Sequence, residues 1–318
     1  MIEFTQKHLL TLADWSPADI LVTLNLADRL KTMRKNHVPH PLLAGKTLAM
    51  IFTKSSTRTR VSFEVGIHEL GGYGLFLSGG DIQLGRGETI ADTARVLSRY
   101  VDGIMIRTFR QSDVEALAQY GAVPVINGLT DDYHPCQILA DLMTIRERKG
   151  ELAGRRLAFI GDGNNVANSL LLGCAKTGMH IAVASPEGYE PSAQVISRAR
   201  EIARKTGGSV LITREPREAV RGADAVYTDV WASMGQESQQ AERRAALISY
   251  HVDEALMGLA ASDALFLHCL PAHRGEEVAP GVIDGPHSAV FDEAENRLHA
   301  QKAIMALLMG QPETLCKI

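Results

Sequence analysis

The chain has 318 residues, a net charge of −4 at pH 7, 45% hydrophobic residues and 22% charged residues. That composition is ordinary for a folded globular protein of roughly two domains, at about 150 residues each. No basic block or stripe suggests nucleic-acid binding, and no apolar run approaches the roughly 18 residues of a membrane span.

The N-terminus, MIEFTQKHLLTLADW, lacks a basic region followed by an apolar one, so a cytoplasmic location is expected. Four cysteines stand singly at 136, 174, 269 and 316, with no CxxC pair. Neither a zinc knuckle nor a disulfide framework is expected.

Taken in chain order, short apolar runs alternate with amphipathic ones. Strands are expected at 47–52, 73–77, 102–107 and 123–127, with helices at 57–70, 88–100, 112–120 and about 135–148. Charge and glycine then interrupt the pattern at 148–154, and it restarts. Strands are expected at 156–163, 180–186, 209–213, 223–230 and 264–272. Helices are expected from the 163 turn to about 177, at 191–205, at 216–221 and at about 293–310. Apolar strands between amphipathic helices imply an α/β fold with two doubly wound parallel-sheet domains, 1–148 and 149–318. Ligands of such sheets bind at the carboxyl ends of the strands, where every unusual motif of this chain falls.

The first motif is KSSTRTR, residues 54–60. It follows a strand and opens a helix, whose free N–H groups and positive dipole end attract anions. Arg58 and Arg60 add bidentate donors suited to phosphate. Ser56, Thr57 and Thr59 offer hydroxyls, though a plain helix cap would also explain them. The GxxxxGK[ST] spacing is absent, so the expected ligand is smaller than a nucleoside triphosphate. Arg107 ends the strand DGIMIR, where a buried run needs a partner for a guanidinium or a stem that reaches solvent. His134 precedes a helix that Pro135 opens, with Gln137 one turn in. They offer a donor, in protonated form a cationic one, and an amide.

Three further features lie in the second half. GDGNN (161–165) is an incomplete GxGxxG without the acid expected about 20 residues on, so NAD is discounted. Asn164 and Asn165 there suit a carboxylate or amino-acid backbone, or simply cap the helix. In DVWASMGQE (229–237), Asp229 suits an ammonium, and Trp231 and Met234 lie on a loop that either packs on the body or covers a ligand. HCLPAHRGEE (268–277) clusters His268, Cys269, His273 and Arg274. Zinc binding lacks a second ligand pair there, and Cys269 is either a nucleophile or a buried thiol.

Together, STRTR, HPCQ, GDGNN, DVWASMGQE and HCLPAHRG resemble the transcarbamylase family, in its order and approximate spacing over nearly the whole chain. Within it the SMG loop and HCLP are similar to the members that act on ornithine rather than on aspartate or putrescine. The resemblance implies transfer of a carbamoyl group from carbamoyl phosphate to the side-chain amine of L-ornithine, giving citrulline and phosphate, in arginine biosynthesis, without metal or redox cofactor. It implies that the last helix packs back on the first domain.

The resemblance also implies roles. Ser56, Thr57, Arg58 and Thr59 would cradle the phosphate, with Arg107 reaching phosphate and carbonyl oxygen and His134 a second donor to that oxygen. Gln137 and the Leu270 carbonyl would hold the carbamoyl amide, with Cys269 close by, and Arg297 would add a contact. Gln83 would complete the pocket of a neighbouring subunit, which implies at least a homotrimer with shared active sites. Asn165, Asp229, Ser233 and Met234 would hold ornithine's α-amino and α-carboxylate groups. Cys269, as a thiolate paired through Asp229, is the candidate acceptor of the amine's proton. Rival readings are another amine, putrescine or an acylated ornithine, and a non-catalytic binding subunit.

Overall fold

The computed structural model describes residues 4–83, 87–232 and 240–311. It divides into two compact units, one of residues 1–140 with 296–318 and one of 141–295. The interruption at 148–154 lies inside the second unit. The divisions fall within helix α5 (Pro135–Lys149) and within the last helix, α12 (Val290–Met309).

The first unit is built on a parallel sheet of β1 (Thr47–Phe52), β2 (Tyr73–Ser78), β3 (Gly103–Arg107) and β4 (Val125–Leu129), in the order β2-β1-β3-β4. The inner strands β1 and β3 are buried almost throughout, whereas edge strand β2 is half exposed along its length. That difference follows from helices covering both faces while an edge still meets solvent. Ala49, Ile51, Ile104 and Ile106 pack with Val114 and Leu117 in one core layer. The sequence reading misses helix α1 (Pro17–Lys35), whose start carries a local signal. Ser16 caps it, Asp19 closes a capping box, and Pro17 takes the first helical position. Its Ile20, Leu24, Ala27 and Leu30 are buried at helical spacing.

The second unit carries five parallel strands: β5 (Arg156–Ile160), β6 (His180–Ala184), β7 (Ser209–Thr213), β8 (Ala225–Thr228) and β9 (Leu265–Leu267), ordered β7-β6-β5-β8-β9. Trp231, Phe266, Val226 and Ile283 belong to its core, so the tryptophan of DVWAS packs on the body. Strand β9 stops at Leu267, short of the expected 272. The next backbone donors turn to side chains: His268 N–H to Glu293 Oε2 at 2.9 Å and Leu270 N–H to His268 Nδ1 at 2.9 Å.

In both sheets the strand order reverses once, between β1 and β3 and between β5 and β8. Those two switch points are where open α/β sheets leave a crevice for ligands. KSSTRTR and Arg107 sit at the first, and GDGNN and Asp229 at the second.

Candidate active site

In the first unit, β1 hands over to α2 (Thr57–Glu69) through an extended Ser56, whose Oγ accepts the Thr59 N–H at 3.2 Å. Ser56 is therefore a helix cap, and capping also points the remaining free N–H groups of α2 outward. The β1–β3 pairing carries on past the strands, with Thr53 N–H donating to the Arg107 carbonyl at 2.9 Å. This sets Arg107 beside the α2 start. A register shift between Ile106 and Arg107 against β4 re-aims that residue relative to the regular ladder.

The cations of KSSTRTR are not equivalent. Lys54 is buried, paired with Asp131 Oδ1 at 2.5 Å, and its Nζ lies 4.4 Å from the centre of the Phe109 ring. Arg60 pairs with Glu64 at 3.1 Å and lies 3.7 Å over the Phe76 ring. Both are held by local structure.

Arg297 of α12 is 3% exposed. Its Nη1 donates to Gln137 Oε1 at 2.6 Å and its Nη2 to Thr59 Oγ1 at 3.1 Å. With the Gln301 amide turned to face it, that oxygen accepts from Nη2 at 2.9 Å and Nε at 3.1 Å, and the Gln301 amide nitrogen donates to Ser62 Oγ. One guanidinium thus fixes two of the expected ligand residues, joining three helices. Sequence reasoning passed over Gln301, which stands one helical turn after Arg297 on the same face.

His134 opens α5, its carbonyl accepting the Gln137 N–H at 3.1 Å. Burial, then the charges of Arg297, Arg107 and Arg58, hold its imidazole well below the usual histidine range. Of the two forms the sequence leaves open, the neutral donor fits this setting: three guanidiniums already supply the positive charge, and the neutral ring keeps one N–H donor. Cys136 of HPCQ is buried, its thiol donating to the Asn127 carbonyl and pushed up to about 12 by burial. Thr57 and Gln83 are exposed, and the residues next to Gln83, 84–86, lie outside those described.

In the second unit, GDGNN joins β5 to α6 (Asn165–Lys176). Gly163 is required by packing: a Cβ there would come within 2.1 Å of the Pro191 nitrogen. Asn164 caps α6, its Oδ1 accepting from Val166 N–H at 2.9 Å and Ala167 N–H at 3.2 Å, while its Nδ2 donates to Asp229 Oδ2 at 2.7 Å. Of the two readings in the sequence, the cap is present, and the same side chain also holds Asp229. Asn165 is buried at the first helical position.

Asp229 follows β8 and accepts three hydrogen bonds: from Asn164, from Val230 N–H at 2.8 Å, and from the Cys269 thiol at 3.1 Å. Burial, then Asp229, Glu293 and Asp141, push that thiol well above its ordinary value. Cys269 is accordingly a thiol that donates to Asp229, not the thiolate expected from the sequence. The negative surroundings that keep its proton on are those that attract a cation.

Asp229, His268 and Cys269 cluster, with His268 Nδ1 accepting the Leu270 N–H and the thiol donating to Asp229. His273, Glu276 and Glu277 form a second cluster, His273 Nδ1 lying 3.7 Å from Glu277 Oε2. Ser233 and Met234 lie outside the described residues. Sequence reasoning did not single out Arg243, whose Nη1 donates to Asp162 Oδ2 at 2.6 Å and to the Trp231 carbonyl at 3.3 Å.

Comparison with known proteins agrees with the two-part reading. The carbamoyl-P binding domain of the aspartate/ornithine carbamoyltransferases matches residues 7–147, and their Asp/Orn binding domain matches residues 153–308. The chain is 58% identical over 314 residues to the ornithine carbamoyltransferase of Oceanobacillus iheyensis, covering 97% of this chain and 98% of that one. It is 59% identical over 308 residues to that of Anoxybacillus flavithermus, with 97% and 98% covered. Among solved structures, ornithine carbamoyltransferase from Pyrococcus furiosus matches with a TM-score of 0.94 at 55% identity, over 97% of this chain and 99% of that one. The chain belongs to the aspartate/ornithine carbamoyltransferase family.

Proposed function

We propose that this protein transfers the carbamoyl group of carbamoyl phosphate to the side-chain amine of L-ornithine, releasing citrulline and phosphate. The observation that carries the reading is an opposition of charge. The switch point of the first unit gathers Arg58, Arg107 and Arg297 around a neutral His134, and that of the second gathers carboxylates around a protonated Cys269. One suits a small dianion, the other an alkylammonium.

In this reading the phosphate lies at the N-terminus of α2, against Arg58, Arg107 and the Ser56 and Thr57 hydroxyls. Thr59 accepts from Arg297, which leaves its own proton to donate to the carbonyl oxygen beside His134 and Arg107. Gln137 Oε1, held by Arg297, accepts one carbamoyl N–H, and the Leu270 carbonyl the other.

Ornithine arrives with its side-chain amine protonated, since an alkylamine of this kind titrates near 10.4 in water. Asp229 holds that ammonium, and Asn165, Asp229, Ser233 and Met234 hold the α-amino and α-carboxylate groups. The incoming cation reverses the local field that keeps the Cys269 proton on, so Cys269 and Asp229 together become able to relay the amine's proton. The neutral amine forms an N–C bond at the carbonyl carbon, and negative charge builds on the oxygen facing Arg107, His134 and Thr59. Collapse breaks the C–O bond to phosphate, which departs into the cradle as the attacking nitrogen gives up its second proton to it, leaving hydrogen phosphate and the neutral ureido group.

We also assign the active form as a cytoplasmic homotrimer, with Gln83 of one chain serving a neighbour's phosphate pocket. The exposure of Gln83 supports this. Light scattering reads the mass, and mixed Arg58→Gly and Gln83→Ala subunits should regain activity only if sites are shared. The primary test is citrulline-type product formation with carbamoyl phosphate and ornithine, putrescine or N-acetylornithine. Ornithine alone should turn over efficiently, and equal kcat/KM for putrescine would overturn the assignment.

A further inference from the structure

Among the described residues of the first unit, one lysine outside the proposed ligand set is fully enclosed. Lys302 of α12 is 0% exposed. Its Nζ donates to Glu69 Oε2 at 2.6 Å, at the end of α2, and to His40 Nε2 at 2.6 Å. The roles at His40 follow from its other nitrogen. Nδ1 lies 2.8 Å from the Val38 carbonyl, which can only accept, so the ring proton sits on Nδ1 and Nε2 offers a lone pair to the ammonium. Glu69 Oε1 in turn accepts from Arg34 Nε at 2.7 Å. A cation of the last helix is thus held by α2, by the segment before β1 and, through Glu69, by α1.

We propose that Lys302 is a positioning residue for the carbamoyl phosphate pocket: it sets the register of α12 along α2, and so places the Arg297 guanidinium against Thr59 and Gln137. The inference rests on the function proposed above for what those three residues bind, but the register itself is independent of it.

The argument begins with how the two helices meet. Their contacts advance together along both: Arg297 on Thr59, Gln301 on Ser62, Met305 and Lys302 against Gly66, and Lys302 on Glu69. A Cβ at Gly66 would come within 2.9 Å of Met305 Cε and 3.2 Å of Lys302 Cγ, so α12 lies close on α2 there. Apolar contact is non-directional, and packed helices can shift along one another. Met305 therefore holds α12 near α2 without fixing how far along it stands. An ammonium with two acceptors at 2.6 Å does fix it, because a slide would withdraw both and leave a buried charge unpaired. Burial lowers this ammonium despite Glu69, so an apolar side chain would pack here at less cost. Specifying a single register is a role that offsets such a cost. Arg297 stands five residues before Lys302, about 7.5 Å of helix. Its bonds of 2.6 Å to Gln137 and 3.1 Å to Thr59 leave little room for a shift of that helix.

The test combines Lys302→Met, which keeps an unbranched side chain and removes the donors, with Arg297→Lys. Lys302→Met should lower kcat/KM for carbamoyl phosphate about 10-fold with KM for ornithine unchanged. Because Lys302 acts through Arg297, adding Arg297→Lys should cost little more than the worse single change, whereas independent sites would multiply their losses. Val114→Ala, a truncation in the core layer of Ile51 and Ile104, should leave that ratio intact. A crystal structure of Lys302→Met should show the bonds from Arg297 to Thr59 and Gln137 lost. Glu69→Gln keeps an acceptor for the ammonium and should give a smaller loss in the same direction. It carries the double-variant comparison and the crystal structure if Lys302→Met does not fold. The inference is overturned by wild-type kcat/KM in the folded variant, by multiplied losses in the double variant, by an equal loss in Val114→Ala, or by Arg297 bonds that survive in the crystal. If the wild type makes no citrulline, the proposed reaction falls, while the crystal structure still tests the register.

Discussion

The two switch points share a scaffold and differ in sign. Each places its residues on loops at the carboxyl ends of adjacent parallel strands, β1 and β3 in one unit and β5 and β8 in the other. Burial and then three arginines depress a histidine in the first, and burial and then three carboxylates raise a thiol in the second. Identical topology therefore says where a ligand binds, and only the side chains loaded onto it say which charge that ligand bears. A reaction joining an anionic acyl donor to a cationic amine needs one site of each kind.

The contrast is broken most severely by Arg58→Gly. That change removes one of the three charges around His134 and should lower kcat/KM about 10³-fold with the fold retained by circular dichroism. Near-normal turnover would remove the cradle from the reading. In the acidic site, Cys269→Ser should lower kcat about 10²-fold while carbamoyl phosphate affinity, measured by calorimetry, stays put. A loss of that affinity with unchanged turnover would assign Cys269 to the wrong substrate.

Stability offers a pH test of the first unit. His134 is held well below the usual histidine range, and His299 is lowered to about 3, each chiefly by burial. Both stay neutral in the folded chain while they charge in the unfolded one. Their contribution is complete above about pH 6.5 and is lost as pH falls below it, by about 2 kcal/mol per histidine at pH 5. Denaturant midpoints at pH 7.5 and 5.0 measure this, and a flat profile would contradict the neutral His134. Arg297→Lys keeps the charge but loses the fork that holds Gln137 and Thr59, so carbamoyl phosphate should bind about 10-fold more weakly. The smallest effect is a shift of His134 itself: saturating phosphate offsets part of the arginine charge, so NMR titration should show its pKa rising.

Much of this was legible in residue order, although the residues that steer others were not. KSSTRTR at a strand end announced an anion site because helix starts and arginines attract anions wherever they stand. The same string could not say that Lys54 belongs to Asp131 and Phe109, and Arg60 to Glu64 and Phe76. Asn164 read as a cap and is one, but its other bond, to Asp229, joins the ends of the neighbouring strands β5 and β8. Glu277 and Glu293 read as ordinary acids, since nothing local distinguishes a buried carboxylate from a solvated one. Helix α1 was overlooked despite the capping box at Ser16, because the strand-and-helix rhythm begins only at Thr47.

By itself the sequence determined the alternation of strands and helices, the two-part organisation and the motifs at strand ends, because periodicity, caps and turn chemistry are local properties of the chain. Only the tertiary structure decided how burial and neighbouring charges act on His134 and Cys269, and which side chains Arg297 and Asn164 hold. Each depends on charges and donors brought close from distant parts of the chain, and a field summed over space has no counterpart in residue order.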